Sequence, residues 1–160
     1  MASTLTVDNI LGATTSSSVV IPNHVLQFVY NTPAGGNTQN MTDVTTQTSI
    51  TLNSSTTRGT ATCSVTRKDA NSFFIVRLGF TCARASTAGE MRCGYRIGSG
   101  SDVLAYFKDG TSWERCDGEF KDTTTGSVGD VLSFQSVLST TGAANSYVRH
   151  VMMSVMEVAQ

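Results

Sequence analysis

The strongest constraint on the fold is a two-residue period between residues 72 and 97. Apolar side chains fill every second position from Phe74 to Cys82, and again from Met91 to Ile97. A period of two places neighbouring side chains on opposite faces of a sheet, so both segments are predicted to be β-strands. No comparable stretch of the chain shows a helical period with capping residues, so the strands define the fold class.

The segment between these two strands predicts how they are connected. Ser86–Gly89 is polar, small and of the right length for a four-residue hairpin loop. Closing that loop at Ala85 and Glu90 sets Cys82 opposite Cys93. The four cysteines match no zinc-ligand spacing. We therefore expect buried thiols, with a Cys82–Cys93 disulfide as the main alternative.

Further strands are predicted at regular spacing along the rest of the chain. They cover residues 25–30, 43–52, 60–66, 103–108, 111–120, 131–138 and 146–158, with polar, glycine-rich breaks between them. Eight or nine short strands of this kind predict an all-β, antiparallel jelly-roll or β-sandwich domain over residues 23–160.

Residues 1–22 are predicted to form an extended N-terminal arm rather than part of that domain. The segment is too poor in core residues to be stable alone. We expect its apolar side chains to attach it to a neighbouring subunit or a larger particle, with packing on its own domain as the alternative. The predicted attachment residues are Leu5, Val7, Ile10, Val19, Val20 and Ile21.

The last predicted strand is unusual because both of its faces are apolar. Strict alternation places Val148, Met152, Met156 and Val158 on one face and Tyr147, Val151, Met153 and Val155 on the other. In a two-sheet domain, one face must then pack on the core and the other on something else, most simply another copy around a symmetry axis. The predicted oligomer interface consists of Tyr147, Val151, Met152, Met153, Val155 and Met156.

Composition argues against several classes of partner. Charged residues make up only 14% of the chain, against about 25% in a typical domain, and the formal net charge is −1. The basic residues form no stripe, so nucleic acid is not an expected partner. No run is apolar and long enough for a membrane helix, and the N-terminus lacks the pattern of a secretory signal. We therefore expect assembly in a reducing cytosol and no membrane partner.

Catalysis is not expected either. The two histidines, His24 and His150, accompany no Gly-x-Ser-x-Gly motif, and no metal or phosphate motif indicates a cofactor. Glu114, Asp117 and Glu119 cluster around Trp113, but a solvated strand explains them better than a glycosidase site. The same four residues could instead contact a sugar or a receptor, since exposed aromatic side chains are effective anchors. Core packing of Trp113 is the alternative.

Three segments carry a resemblance to a known class of protein. They are Met-Ala-Ser-Thr-Leu-Thr-Val-Asp-Asn-Ile followed later by His-Val-Leu-Gln-Phe-Val, the central Ser-Phe-Phe-Ile-Val-Arg at residues 72–77, and the ending from Ser-Tyr-Val-Arg at 146–149 to Ser-Val-Met-Glu-Val at 154–158. With these segments the chain resembles short virion proteins of tailed bacteriophages that infect marine and freshwater bacteria. The insert usual between the last two segments is missing here.

The resemblance implies a structural protein of the virion surface with a trimeric jelly-roll domain and no catalytic residues. It implies a homotrimer that contacts other virion proteins, either the major capsid protein or tail and fibre proteins. We expect a capsid decoration or cement protein, or a short head fibre, assembled in the host cytoplasm. The alternative is a tail-fibre-type adhesin that binds host surface glycans, and a third option is an envelope-degrading enzyme.

Overall fold

The computed structural model describes residues 23–31, 50–52, 56–84, 91–107, 114–140 and 146–160. These residues form nine strands: β1 (Val25–Asn31), β2 (Ile50–Leu52), β3 (Thr56–Thr66), β4 (Phe73–Arg84), β5 (Met91–Ile97), β6 (Val103–Phe107), β7 (Glu114–Asp122), β8 (Val131–Thr140) and β9 (Ser146–Val158). Each predicted strand has a counterpart among them. The predicted strand at 43–52 is described only for its last three residues, which form β2.

The strands form two antiparallel sheets with the connectivity of a jelly roll. One sheet has the order β1-β9-β4-β7, with β2 pairing beside β1 on the same edge of β9, and the other has the order β3-β8-β5-β6. From β3 onward the chain alternates between the sheets, except where β6 follows β5. This arrangement confirms the predicted all-β jelly-roll class. The predicted arm, residues 1–22, lies outside the described residues.

The core fills the space between the inner faces of the two sheets. Alternate residues of each strand point inward, and the fully buried side chains include Phe74 and Leu78 from the first sheet and Phe134 and Leu138 from the second. The Phe74 and Phe134 rings lie 5.3 Å apart between centroids, so aromatic contacts bridge the sheets. Burying each such side chain stabilises the fold by about 1.5–3 kcal/mol.

The predicted hairpin between residues 72 and 97 is wrong, although both of its strands exist. β4 pairs with β7 and β9, whereas β5 pairs with β6 and β8 in the opposite sheet. Cys82 and Cys93 are therefore not opposed across a ladder, and all four cysteines are thiols. The physical reason is that two strands can bury their apolar faces equally well across the sandwich or side by side. Alternation alone does not distinguish these arrangements.

A β-bulge interrupts the alternation of the last strand. His150 and Val151 of β9 together face the single residue Phe80 of β4. His150 has a φ of 54°, a left-handed conformation that is uncommon outside glycine. An extra residue in one strand reverses which side chains point inward beyond it.

The bulge corrects the interpretation of β9 as a strand with two continuous apolar faces. Val148 before the bulge and Val151, Met153 and Val155 after it all lie in the core. Met152, in contrast, is 38% exposed on the outer surface of the sheet. The second apolar face of β9 that strict alternation predicts therefore arises largely because the bulge changes which of its side chains point inward.

A buried polar network closes one end of the sandwich. Arg67 and Glu157 are both fully buried, and Ser72 connects them by accepting a hydrogen bond from the Arg67 guanidinium at 3.1 Å and donating one to Glu157 at 2.6 Å. Arg67 also lies over the Phe74 ring, 4.8 Å from its centroid. At the same end, the backbone N–H of Asn23 donates to the carbonyl of Ala159. Asn23, which follows the predicted arm in the sequence, is therefore held beside the end of β9.

Candidate functional site

The outer face of the five-stranded sheet combines exposed apolar side chains with paired charges around an open groove of about 460 Å³. We call this surface the groove face. It comprises Phe28 and Tyr30 of β1, Arg77 and Gly79 of β4, Arg115, Asp117 and Glu119 of β7, and Met152 and Ser154 of β9.

The aromatic side chains of the groove face come from β1, whose residues face the opposite way from what their polarity predicts. In β1, the run Leu-Gln-Phe-Val-Tyr would conventionally bury Phe28 and Tyr30 and expose Gln27. The structure does the opposite: Phe28 is 55% and Tyr30 69% exposed. Gln27 is half-buried because its side-chain amide donates to the Thr66 carbonyl at 2.5 Å and to the carboxylate of Glu157. The hydrogen bonds of Gln27 at this end of the sandwich therefore direct its side chain inward and the rings of Phe28 and Tyr30 toward solvent.

The middle of the groove face is formed by β9, which lies between β1 and β4. Ser154 lies opposite Tyr30 on one side and Arg77 on the other, and Met152 lies opposite Gly79. Since the bulge at His150 sets the phase of this part of β9, it also determines that Met152 points outward. Exposed methionine thus occupies the centre of the sheet rather than its margin.

The far side of the groove face carries charges that neutralise one another. Arg77 donates to Glu119 at 2.6 Å, and Arg115 lies 3.2 Å from Asp117. All four side chains are more than half exposed, so the pairs add little to fold stability. Gly79 leaves room for them, because a Cβ there would stand 2.8 Å from the Asp117 carboxylate.

The side chains of the groove face can contact an apolar surface and hydrogen-bond to polar groups. Within the described ranges, no group of three or more His, Cys, Asp and Glu side chains could hold a metal ion. The same part of the chain contains no helix long and apolar enough to span a membrane.

The predicted interface residues divide between the core and the surface. Val151, Met153 and Val155 are buried against the domain's own core, so their side chains are not available to a partner chain. That part of the prediction is corrected by the bulge. Met152 lies on the groove face and Tyr147 is half-buried. Met156 is half-buried and pairs in register with Phe28 and Ile75, which continues the apolar surface.

The predicted receptor-contact residues also separate. Asp117 and Glu119 lie together on the groove face, whereas Glu114 is half-buried at the opposite phase of β7. Trp113 lies outside the described residues. The predicted attachment residues Leu5, Val7, Ile10, Val19, Val20 and Ile21 do so as well, and their roles remain predictions.

Sequence reasoning did not identify Phe28, Tyr30, Arg77, Gly79 or Arg115 as site residues. For Phe28 and Tyr30, alternation in the sequence predicts burial, whereas the structure exposes both rings because Gln27 faces inward. For Arg77, a charge in the middle of an otherwise apolar strand marks the outer face of the sheet and could have been paired with acidic residues on β7.

The comparisons with known proteins do not show a family for this chain. No protein-family model matches it, and no curated protein matches it. Among solved structures, a "Family 16 Carbohydrate Binding Module-2" aligns with 67% of this chain and 74% of that chain, with a TM-score of 0.35 and 12% sequence identity.

Proposed function

We propose that this chain is a structural, homo-oligomeric β-module whose copies associate through the groove face. The observation that carries the proposal is the outward projection of Phe28 and Tyr30 from a strand that turns its glutamine inward. Leaving two aromatic rings in water forgoes their burial, worth about 1.5–3 kcal/mol for a ring such as Phe28. A second subunit recovers that free energy by covering them.

The position of the apolar residues supports a subunit interface. Phe28 faces Met156 and Tyr30 faces Ser154, the outward residue next to Met152, so the exposed aromatic and methionine side chains lie on adjacent positions of two neighbouring strands. Aromatic residues and methionine are enriched in the centres of interfaces, with polar residues at the rim. The paired charges along β7 provide such a rim.

The charges also suit association between identical copies. The guanidinium groups of Arg77 and Arg115 are matched by the carboxylates of Glu119 and Asp117, so these four residues contribute no net charge. When identical surfaces meet around a rotation axis, any net charge on them is brought together and repelled. A neutral face avoids this cost.

We further propose, from the resemblance noted above, that the oligomer is a homotrimer on the surface of a tailed bacteriophage. Residues 1–22 dock it to the particle, and the β-domain projects outward as a capsid decoration or cement protein or a head fibre. Deleting residues 2–21 should abolish incorporation into particles and leave a soluble trimer. Normal incorporation of the shortened protein would refute the docking role.

The oligomer is tested by placing a charge on the groove face. Tyr30→Asp should convert a wild-type trimer to a monomer in size-exclusion chromatography with light scattering, and circular dichroism should show an unchanged β-signature. The matched control is Val131→Asp, because Val131 is also 69% exposed but begins β8 of the other sheet. A monomeric wild type, or a trimeric Tyr30→Asp variant, would contradict the proposal.

A second candidate function is glycan binding by a tail-fibre-type adhesin, and one feature of the groove face favours it. Tyr30 shares the groove with Asp117 and Glu119, and aromatic stacking beside carboxylate acceptors is suited to sugars. In that case purified protein should bind host cells and compete with phage adsorption, and Asp117→Ala should weaken both effects. No binding and no competition would exclude this candidate.

A further inference from the structure

Two cysteine side chains on neighbouring strands of the five-stranded sheet nearly touch. Cys82 of β4 lies opposite Glu114, and Phe80 lies opposite Cys116 of β7, so the two cysteines are diagonal neighbours on the same inner face. Their Sγ atoms are 3.3 Å apart, and both are thiols.

The sulfur atoms of this pair lie not far beyond bonding distance. A disulfide bond is about 2.05 Å long, so the sulfur atoms need to approach by only about 1.2 Å. The 3.3 Å approach of the sulfur atoms shows that the two side chains lean toward each other from the same face of the sheet.

Access to the pair comes from the edge of the sandwich. β7 is the terminal strand of its sheet, and Cys116 is half-buried, whereas Cys82 is 8% exposed. A small disulfide can therefore reach Cys116 first.

The other two thiols lie deeper. Cys93 is fully buried in the opposite sheet, where burial first, and then the nearby Cys116 and Cys82, raise the pKa of its thiol. Cys63 donates toward the Met153 carbonyl at 3.5 Å and is 1% exposed.

We propose that Cys82 and Cys116 form a latent cross-link site that closes to a disulfide when the protein meets a low-molecular-weight disulfide such as oxidised glutathione. The Cys116 thiolate attacks one sulfur of the oxidant, forms a mixed disulfide and releases one glutathione thiolate. The Cys82 thiolate then attacks the Cys116 sulfur, forms the Cys82–Cys116 bond and releases the second glutathione. The two cysteine protons end on the two glutathione thiols, so two cysteines are oxidised and one glutathione disulfide is reduced.

The bond would fasten the edge strand β7 to the internal strand β4 and close the chain between residues 82 and 116. A cross-link over such a distance restricts the unfolded chain and raises the unfolding midpoint. This inference goes beyond the proposed function and does not depend on it, since the chemistry belongs to the isolated domain. It would suit a particle that assembles in a reducing cytosol and persists in an oxidising medium.

The test is a thiol count on the full-length protein before and after incubation with oxidised glutathione at pH 8. We expect the count under denaturing conditions to fall from four to two, and peptide mapping to join the Cys82 and Cys116 peptides. The unfolding midpoint should rise by several degrees. Cys93→Ser is the matched control and should still form the bond, whereas Cys116→Ser should form none within the chain. Four remaining thiols in the wild type, or a bond from Cys82 to Cys93, would overturn the inference.

Discussion

Glu157 offers the sharpest test of how the fold is closed at one end. Its carboxylate is fully buried and accepts hydrogen bonds from the backbone N–H groups of Lys68 at 2.8 Å and Asp69 at 3.1 Å, from the Ser72 hydroxyl at 2.6 Å, and from the amide of Gln27. The substitution Glu157→Gln keeps the size of the side chain but removes its charge and replaces one acceptor with a donor.

The expected loss can be worked from these four donors. A hydrogen bond to a charged group contributes about 1.5–3 kcal/mol and a neutral one about 0.5–1.5 kcal/mol. The new amide group would also face at least one donor, which then remains buried and unpaired at a cost of about 1–3 kcal/mol. We therefore expect Glu157→Gln to lower the free energy of unfolding by about 3–5 kcal/mol, a large part of the roughly 5–15 kcal/mol typical of a domain.

The effect should also depend on pH. Burial alone would raise the pKa of Glu157, but the hydrogen bonds from Ser72, Gln27, Lys68 and Asp69 together outweigh it and hold the pKa below its ordinary value. A carboxylate whose pKa is lower in the folded state contributes stability above its unfolded pKa and loses it as the pH falls through the folded value. The difference between wild type and variant should be full at pH 7 and shrink as the pH falls below about 4.3.

Urea unfolding at a fixed protein concentration, at pH 7 and at successively lower pH, measures this difference. A loss at pH 7 below about 1 kcal/mol, within the range of an exposed ion pair, would refute the four-donor description of the site. A difference that does not diminish at low pH would show that the substitution acts through packing rather than through the charge.

Substitutions at three further positions test particular contacts of the fold. Gly94→Ala should abolish soluble expression, because a Cβ at Gly94 would stand 1.7 Å from the Val103 carbonyl oxygen on β6; a soluble variant with unchanged melting temperature would contradict that approach. Tyr95→Phe should cost about 1–3 kcal/mol in urea unfolding, because the buried Tyr95 hydroxyl donates to Asp122 at 2.6 Å. His150→Val should cost about 1–3 kcal/mol more than His150→Gly, because both variants lose the contact with Thr81 but only the β-branched residue resists a φ of 54°; equal effects of the two would argue against the bulge.

The positions of the strands were largely predictable, because alternation is a local property. The pairing of the strands was not. β4 and β5 each present one apolar face, and nothing in their sequences specifies whether those faces meet across the core or share a sheet. The short, polar segment between them favoured a hairpin, but burial across the sandwich satisfied both strands.

The groove face could not be predicted from the sequence because the structure departs from simple alternation at two positions. The bulge at His150 places Val151 in the core and Met152 outside, and no local residue pattern marks it. Gln27 points inward because Glu157 and Thr66, far away in the sequence, supply its partners. Such long-range polar contacts override the ordinary preference of a strand to bury its aromatic residues. The apolar character of β9 nevertheless did point to the strand at the centre of the candidate interface.

The most direct test of the groove face as a subunit interface is the peroxide oxidation of Met152 in the purified wild-type protein. In the single chain Met152 is 38% exposed, whereas its neighbour Met153 is buried and serves as an internal control. If copies associate through this face, fragment mass spectrometry should find Met152 protected in the wild type and oxidised in the Tyr30→Asp variant. Equally rapid oxidation of Met152 in both proteins would contradict the proposed interface.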